Sequence, residues 1–195
     1  MTKTNQQARR KALTDSAELA MLRELLGAYV ERDAVAKLID RYLAGLDARV
    51  HDEEWARSLF TENVRLVFPV GTREGIEGLG AYHAEVMGRF DRTVHLGSNY
   101  GITVQGGRAV FQFNLLCLHV LSDELHAERS LAPGTTFEVA GRMSGEAVRT
   151  AAGWRFDLLR LEVVWAKGEP PVRTGPPGDA DGEARSSDGE AGFRA

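Results

Sequence analysis

The stretch GITVQGGRAVFQFNLLCLHVL, residues 101–121, decides the fold of this chain. Two β-prone segments within it are separated by Gly106 and Gly107, a pair that is typical of a tight hairpin turn. The segment after the turn, Arg108 to Leu121, becomes apolar on both faces toward its end. A strand with that pattern is covered on both sides of its sheet. The sequence therefore predicts a hairpin with one long, well-covered strand.

Further strands are expected on both sides of this hairpin. The segment before it, Thr93 to Ser98, is β-prone and is separated from Gly101 to Gln105 by a kink. After the hairpin, Ala151, Ala152 and Gly153 form a turn between two long segments of strand character. The remaining expected strands are Val64 to Phe68, Thr136 to Arg149 and Trp154 to Trp165.

The residues that precede these strands have the pattern of helices. Asp15-Ser16-Ala17-Glu18 is a capping box that predicts the start of one helix, and Asp33 is expected to cap a second. The second helix keeps its apolar residues at helical spacing as far as Leu46. Short helices are expected at about residues 52–60 and 77–90. Helices followed by strands indicate an α+β fold, in which a cone-shaped, curved antiparallel sheet wraps around the N-terminal helices.

Length and composition divide the chain into three segments. The chain has 195 residues, enough for one well-buried domain. Residues 1–32 are predicted to form a basic N-terminal segment with an extra helix, and residues 33–167 the cone-shaped domain. Residues 168–195 are rich in glycine, proline and acidic residues and contain almost no apolar side chains. We therefore expect this last segment to be a disordered tail.

The charge and apolar patterns exclude several classes of function. The formal net charge is −4, so the chain has no overall attraction to nucleic acid. No apolar run approaches membrane-spanning length, and the polar start is not that of a signal peptide. Cys117 is the single cysteine and cannot form an internal disulfide, so a reducing cytoplasm is the expected compartment. Its thiol is expected to be buried and inert.

Three polar residues carry the chemistry that the sequence offers. His95 stands in an apolar, β-prone segment, Asp47 ends the second predicted helix, and His119 lies late in the long strand. One carboxylate and two imidazoles that line one cavity would form a site for proton transfer. No cluster in the sequence has the spacing of metal ligands, so we expect neither a metal nor a cofactor.

Each of these residues also has a purely structural interpretation. His95 can be a satisfied strand histidine, Asp47 can face water at a helix end, and His119 can lie in solvent at the end of a strand. Tyr42 can be a core residue. The other histidines lie beside acidic residues or on polar faces and are expected at the surface: His51, His83 and His126.

Four local segments occur in an order that is familiar from one protein family. They are RYLAGLD at residues 41–47, RTVH at 92–95, LLCLH at 115–119 and GWRF at 153–156. Through them residues 33–167 resemble the SnoaL-like polyketide cyclase and dehydratase family, which has the fold of nuclear transport factor 2. The first segment resembles a helix end in bile-acid dehydratases of this family. The second and third resemble the histidine-bearing segments of scytalone dehydratase.

The resemblance implies a cofactor-free lyase or cyclase of secondary, polyketide-type metabolism. By this resemblance Asp47 orients His95 and raises its basicity. His95 takes a proton from the carbon next to a carbonyl and passes it to a leaving hydroxyl. His119 donates to the leaving group or to the carbonyl oxygen, and Tyr42 polarises the carbonyl. Neither a cofactor nor a metal is implied.

The chain also departs from the family pattern. Two tyrosines that polarise the carbonyl in scytalone dehydratase correspond here to Leu46 and Phe68, which have no hydroxyl. Scytalone itself is therefore not the expected substrate. Together with Phe113 and Trp165, these two residues are expected to bind a small apolar or polycyclic ketone.

Two further expectations concern assembly and the class of function. The apolar runs Leu115 to Leu121 and Leu158 to Val164 indicate that the outer face of the sheet is covered, which predicts a homodimer through the sheet. The helix at residues 15–30 is expected to help. The alternative to an enzyme is a non-catalytic member of the same fold that binds a ligand or serves as a dimerisation module.

Overall fold

Four helices and six strands make up the part of the chain that the computed structural model describes, residues 3–171. Most of the predicted tail, residues 172–195, lies outside the described residues. The elements in chain order are α1 (Lys3–Ala48), α2 (Glu53–Leu59), β1 (Phe60–Phe68), β2 (Gly71–Glu74), α3 (Leu79–Met87), β3 (Phe90–Gln105), β4 (Arg108–Leu121), α4 (Asp123–Arg129), β5 (Thr136–Thr150) and β6 (Gly153–Gly168).

The six strands form one curved sheet that does not close on itself, in the order β2-β1-β6-β5-β4-β3. The predicted α+β cone is thereby confirmed. One pair differs from the expected antiparallel pattern, because β1 runs parallel to β6 while every other neighbouring pair is antiparallel. Two short elements were not predicted from the sequence: β2, and α4 with Ser122 as its N-cap.

The predicted hairpin is present as β3 and β4. Gly106 and Gly107 both have positive φ, 58° and 79°, as a tight hairpin turn between twisted strands requires. The expected kink is a bulge between Ser98 and Gly101, where Asn99 takes φ 59°. The bulge bends β3 so that its first half, which carries the candidate site, can curve over the end of α1.

The N-terminal region is one continuous helix, and the predicted start at Asp33 was wrong. The Asp33 carboxylate lies 2.7 Å from the ammonium of Lys37 one turn later, so it pairs along the helix surface and caps nothing. The burial of apolar residues changes along this helix. Large apolar residues between 19 and 30 are exposed, whereas six at helical spacing further on are buried: Val35, Leu38, Ile39, Tyr42, Leu43 and Leu46.

The buried end of α1 is held against α2 by close packing. Asp52 caps α2, as its side chain accepts a hydrogen bond from the Trp55 amide at 2.7 Å. A Cβ at Gly45 would lie 2.2 Å from Nε1 of Trp55, so only glycine lets this indole rest against α1. The ring of Trp55 is then stacked beside that of Tyr42, with centroids 6.1 Å apart. This packing fixes one wall of the cavity described below.

The core lies between the concave face of the sheet and the helices. Alternate residues of β4 from Ala109 to Leu121 are buried, and the residues between them are more exposed. Phe111 and Phe156 fill the middle of this core with ring centroids 5.4 Å apart. Within residues 3–171, no helix combines the length and the apolar character needed to cross a membrane.

Candidate active site

Asp47 and His95 meet where the end of α1 passes under β3. The carboxylate oxygen Oδ1 of Asp47 lies 2.7 Å from Nδ1 of His95. The same oxygen accepts a hydrogen bond from the Thr93 hydroxyl at 2.8 Å, and Oδ2 accepts one from the His95 amide at 3.0 Å. Because a carboxylate can only accept, Nδ1 of His95 carries the hydrogen, and the neutral ring has its free lone pair on Nε2.

His119 lies across the hairpin from His95, with the two Nε2 atoms 3.4 Å apart. Its Nδ1 donates a hydrogen bond to the Phe137 carbonyl at 2.9 Å, which leaves Nε2 of the neutral ring without a hydrogen. Burial, and then the neighbouring His95, lower the pKa of His119 to about 4. His119 therefore faces the cavity as an acceptor near pH 7. To donate to a leaving group it must first receive a proton, and His95 is within reach to supply one.

Tyr42 contacts His83, a histidine that was predicted to lie at the surface. Its buried hydroxyl lies 3.4 Å from Nε2 of His83, and Nδ1 of His83 donates to the Leu79 carbonyl at 2.9 Å. Burial lowers the pKa of His83 to about 4 and raises the pKa of the Tyr42 hydroxyl. His83 is thus neutral with a bare Nε2, so the Tyr42 hydroxyl is the donor in this long contact. Tyr42 must leave His83 before it can polarise a carbonyl.

The prediction that the remaining histidines lie at the surface was wrong for two of them. His83 is 4% exposed and His126 is 7% exposed, whereas His51 is half-buried. His83 was missed because its helix turns it inward, with Leu79 one turn earlier as its partner. The helical spacing of Leu79 and His83 was the available signal, since residues four apart share a helix face.

A cavity of about 220 Å³ connects these groups. It is lined by residues of α1, α3 and five of the strands, and most of its surface is apolar. Its polar members are Tyr42, His83, His95 and His119, together with the thiol of Cys117 and the phenol of Tyr82. A buried base in an otherwise apolar enclosure is a common arrangement for proton transfer, since water is kept from the reacting atoms.

Two of the four predicted substrate-binding residues line the cavity, Leu46 and Phe68. Phe113 lies outside its wall because its ring packs in the core between Phe111 and Tyr100. Trp165 is 45% exposed and also lies outside the wall. A bulge between β5 and β6 explains its orientation.

The bulge sits where the register shifts between Gly141 and Ala140. Val163 pairs with Gly141 and lines the cavity, whereas Trp165 pairs with Ala140 on the opposite face. One extra residue, Val164, therefore reverses the alternation of the strand and sends Trp165 outward.

Cys117 lines the cavity, although it was not predicted as a site residue. It pairs in register with His95 across the hairpin and shares a strand face with His119 two residues later. Its sulfur and one imidazole nitrogen of each histidine lie within 4.8 Å of one another. Burial raises the pKa of its thiol to about 12, so the thiol is protonated near pH 7. The Cys-x-His spacing on a strand was the signal that the two side chains share a face.

A larger groove of about 500 Å³ lies beside the hairpin turn at Gly106 and Gly107. Its carboxylate, Glu31, accepts hydrogen bonds from the Arg149 guanidinium and from Nε1 of Trp154, so it is engaged in structural contacts. The groove holds none of the imidazoles described above. Size alone therefore does not identify the site.

Comparison with known proteins gives a family and a fold. Residues 29–160 match the family model of the SnoaL-like domain, and no curated protein matches the chain significantly. Kfla4162 from Kribbella flavida is 23% identical, with a TM-score of 0.65 over 72% of this chain and 95% of its own. A hexachlorocyclohexane dehydrochlorinase, LinA type 2, is 21% identical, with a TM-score of 0.62 over 78% of this chain and 98% of its own.

A third solved structure comes from Novosphingobium aromaticivorans and is provisionally described as a scytalone dehydratase. It is 22% identical, with a TM-score of 0.63 over 78% of this chain and 97% of its own. At these identities the structural likeness establishes the fold, which a protein of Salmonella enterica assigned to the nuclear transport factor 2-like superfamily also shares. The family model covers well over half of the residues, and so this chain belongs to the SnoaL-like domain family.

Proposed function

We propose that this chain is a cofactor-free dehydratase or cyclase of secondary, polyketide-type metabolism. The observation that carries the proposal is the Asp47–His95 pair, in which Nδ1 is bound to a carboxylate at 2.7 Å while Nε2 faces an apolar cavity. The names of two structural relatives, a dehydrochlorinase and a scytalone dehydratase, both denote eliminations. An elimination or an enolate cyclisation both begin with loss of a proton, so one base serves either reaction.

The first step is proton transfer from the carbon next to the substrate carbonyl to Nε2 of His95. The ring becomes an imidazolium, and the Asp47 carboxylate stabilises the new positive charge. General base catalysis of this kind contributes about 10²–10⁴-fold in rate. In a dehydration, the proton then leaves Nε2 of His95 for the departing hydroxide, which forms water. Between these two proton transfers, Nε2 of His119, which lies 3.4 Å from Nε2 of His95, accepts a hydrogen bond from the imidazolium.

The carbonyl oxygen needs a donor while the enolate forms. Tyr42 is the cavity-lining residue of α1 that carries a hydroxyl group, and its present contact with His83 is long at 3.4 Å. A substrate oxygen at normal hydrogen-bond length competes well with so weak a contact. We therefore assign polarisation of the carbonyl to Tyr42, with His83 as the group that holds the hydroxyl until the substrate arrives.

The cavity favours a small substrate. Its volume of about 220 Å³ lies below the roughly 300–1,000 Å³ of common small-molecule sites. Leu46 and Phe68 provide contact without hydrogen bonding, so the substrate surface beside them is apolar. A one-ring or two-ring hydroxy ketone fits these properties better than a larger polycyclic ketone does.

The test is a panel of one-ring and two-ring β-hydroxy ketones, followed by the absorbance of the conjugated enone that forms when water is lost. We expect His95→Ala to lose at least about a hundredfold in turnover, because the base is gone. Asp47→Asn keeps the shape but removes the charge, so a smaller loss is expected. His119→Ala should slow a dehydration, and it should matter little for a cyclisation that loses no water.

The matched control is His126→Ala, because His126 is also a buried histidine but lies in α4 and does not line the cavity. Its turnover should stay within a few-fold of the wild type, provided that circular dichroism shows a folded protein. Near-normal turnover in folded His95→Ala would end the catalytic proposal. The cavity would then serve ligand binding without catalysis.

We also propose that the protein is a homodimer through the outer face of the sheet. The strand registers place Leu96, Leu116, Ala140 and Trp165 in one row across four strands of that face. Leu96 is 52% exposed, and the apolar residues of α1 between 19 and 30 are exposed as well. Large exposed apolar side chains in such numbers favour a surface that is covered in solution.

Sedimentation of the wild type and of Leu96→Lys tests this assembly. In a symmetric dimer, the lysines introduced in the two copies would lie in the same apolar interface. Their like charges should shift the equilibrium from dimer toward monomer. Val50→Lys is a control, since Val50 is an exposed apolar residue that follows α1 and belongs to none of the strands that form the row. A wild type that sediments only as a 21.4 kDa species at micromolar concentration would contradict the dimer.

A further inference from the structure

We propose that His95, Cys117 and His119 form a binding site for a divalent transition-metal ion such as Zn²⁺. The ligands are Nε2 of both histidines and the thiolate sulfur of the cysteine, with the fourth position open to the cavity. The ion replaces the proton of the Cys117 thiol, which is released to solvent as the metal–sulfur bond forms. This inference does not rest on the proposed elimination chemistry.

The spacing of the three ligand atoms supports the site. One ligand atom from each of the three residues lies within 4.8 Å of the other two, and the two Nε2 atoms are 3.4 Å apart. In a tetrahedral zinc site with bonds of about 2.0–2.3 Å, ligand atoms are separated by about 3.3–3.7 Å. The imidazole nitrogens are thus already at bonding separation for one shared ion. The sulfur completes the set with a shift on the order of 1 Å.

The tautomers of both imidazole rings also support a metal site. Nδ1 of His95 donates to Asp47, and Nδ1 of His119 donates to the Phe137 carbonyl. Two bare Nε2 lone pairs therefore face each other at 3.4 Å, where only a donor or a cation can lie between them favourably. A histidine ligand whose other nitrogen donates to a carboxylate or carbonyl is the usual support of a metal site.

The local charge also suits a divalent ion. A doubly charged ion in an apolar cavity is unfavourable unless nearby groups compensate for its charge. The Cys117 thiolate would supply one negative charge, and the Asp47 carboxylate behind His95 supplies the other. The thiol must lose its proton before the sulfur can bind an ion, and protons also compete with the ion for both imidazole nitrogens. Affinity should therefore fall as the pH is lowered.

The consequence for the cavity is competition. An ion on Nε2 of His95 occupies the lone pair that would otherwise take a proton, so a metal-loaded protein cannot use His95 as a base. The same three residues thus have two exclusive states, one with a free base and one with a bound ion. The free zinc concentration relative to the dissociation constant of the site decides which state predominates.

Titration with Co²⁺ of untagged protein tests the site by absorbance. Cys117 is the only cysteine in the chain, so a thiolate-to-cobalt charge-transfer band can come from no other residue. We expect this band to saturate at one equivalent, together with the intense visible bands of tetrahedral Co²⁺. One equivalent of Zn²⁺ should then abolish both. Cys117→Ser should lose the charge-transfer band.

Variants that keep the supporting hydrogen bonds make the test specific. His95→Asn and His119→Asn retain an N–H on the side of Nδ1 but remove Nε2, so each should weaken Co²⁺ binding at least about tenfold. Asp47→Asn removes the support behind His95 and should cost about 10–100-fold in affinity. His126→Ala, a buried histidine outside the cavity, should bind Co²⁺ like the wild type.

Two results would overturn the site. One is the absence of a charge-transfer band in the folded wild type at saturating Co²⁺. The other is a band of undiminished affinity in folded His95→Asn and His119→Asn, which would mean that the thiol binds cobalt without the histidines. Because the readout is spectral, either result is independent of whether the protein turns over a hydroxy ketone.

Discussion

His83 and His95 are two histidines with buried side chains on the wall of one cavity. Both rings are held through Nδ1, but their Nε2 atoms have different partners. Each donates from Nδ1 to an oxygen, at 2.9 Å to the Leu79 carbonyl and at 2.7 Å to Asp47. Nε2 of His83 accepts from the Tyr42 hydroxyl, whereas Nε2 of His95 faces the lone pair of His119. A buried histidine can act as a base only when its second nitrogen meets no protein donor.

The partners of Nδ1 differ in charge as well. The carbonyl behind His83 is neutral, and burial lowers the pKa of His83 to about 4, so this ring stays uncharged near pH 7. The carboxylate behind His95 stabilises an imidazolium once one forms. The first arrangement stabilises a fold, and the second is suited to taking up a proton.

The largest effect should appear in acid. Burial lowers the pKa of both His83 and His119 to about 4, from the usual value of 6.5. Between these values the unfolded chain binds more protons than the folded one, so stability is complete above pH 6.5 and falls as the pH drops toward 4. Each group should account for a loss on the order of 3 kcal/mol. Urea denaturation at a series of pH values measures the slope.

The control for this slope uses asparagine, which keeps a donor near the position of Nδ1 but does not titrate. His83→Asn and His119→Asn should each make the free energy of unfolding depend less steeply on pH between pH 4 and 6.5. The reduction should equal the contribution of the one histidine that was replaced. If both variants kept the full wild-type slope, the buried neutral histidines would not be the source of acid sensitivity.

The second effect concerns stability at neutral pH. His83→Ala removes a ring packed among aromatic side chains and leaves the Tyr42 hydroxyl without its partner. A loss of about 2–4 kcal/mol in the free energy of unfolding is expected from the cavity and the unpaired hydroxyl. His95→Ala should cost less stability, because the Asp47 carboxylate keeps two other hydrogen bonds. Equal losses in the two variants would mean that His83 contributes no more to stability than His95 does.

The smallest effect should come from Tyr42→Phe. The contact of the hydroxyl with His83 is long, 3.4 Å, so its removal should cost no more than about 1 kcal/mol of stability. In the proposed reaction the same change should lower turnover, because the carbonyl loses its donor. A variant with normal turnover would assign Tyr42 to packing alone. Thermal unfolding and the enone assay, run on one preparation, give both values.

Much of this architecture could be predicted from local patterns. The hairpin from Gly101 to Leu121 and the short helix after Asp52 follow from turn and capping residues, which act over a few positions. The proximity of Asp47 to His95 came from the family resemblance, since no local pattern links residues 48 apart.

The remainder depended on tertiary contacts. Asp33 has the chemistry of a cap, but its carboxylate pairs with Lys37 in the middle of a longer helix. In a regular strand, Trp165 would point to the same face as the cavity-lining Val163. The extra residue of a bulge, Val164, turns Trp165 to the other face, and bulges leave little trace in a sequence. The inward turn of His83 depends on the phase of a short helix whose start could not be fixed within one residue.

The central claim is that Asp47 holds His95 with a bare Nε2 aimed into the cavity. Nitrogen-15 NMR of the histidine rings, recorded at pH 8 and assigned with His95→Asn and His83→Asn, tests it without a substrate. We predict that His95 carries its hydrogen on Nδ1, hydrogen-bonded to Asp47, and that its Nε2 is unprotonated. A His95 ring protonated on Nε2 and bare on Nδ1 would contradict the account, because no lone pair would then face the cavity.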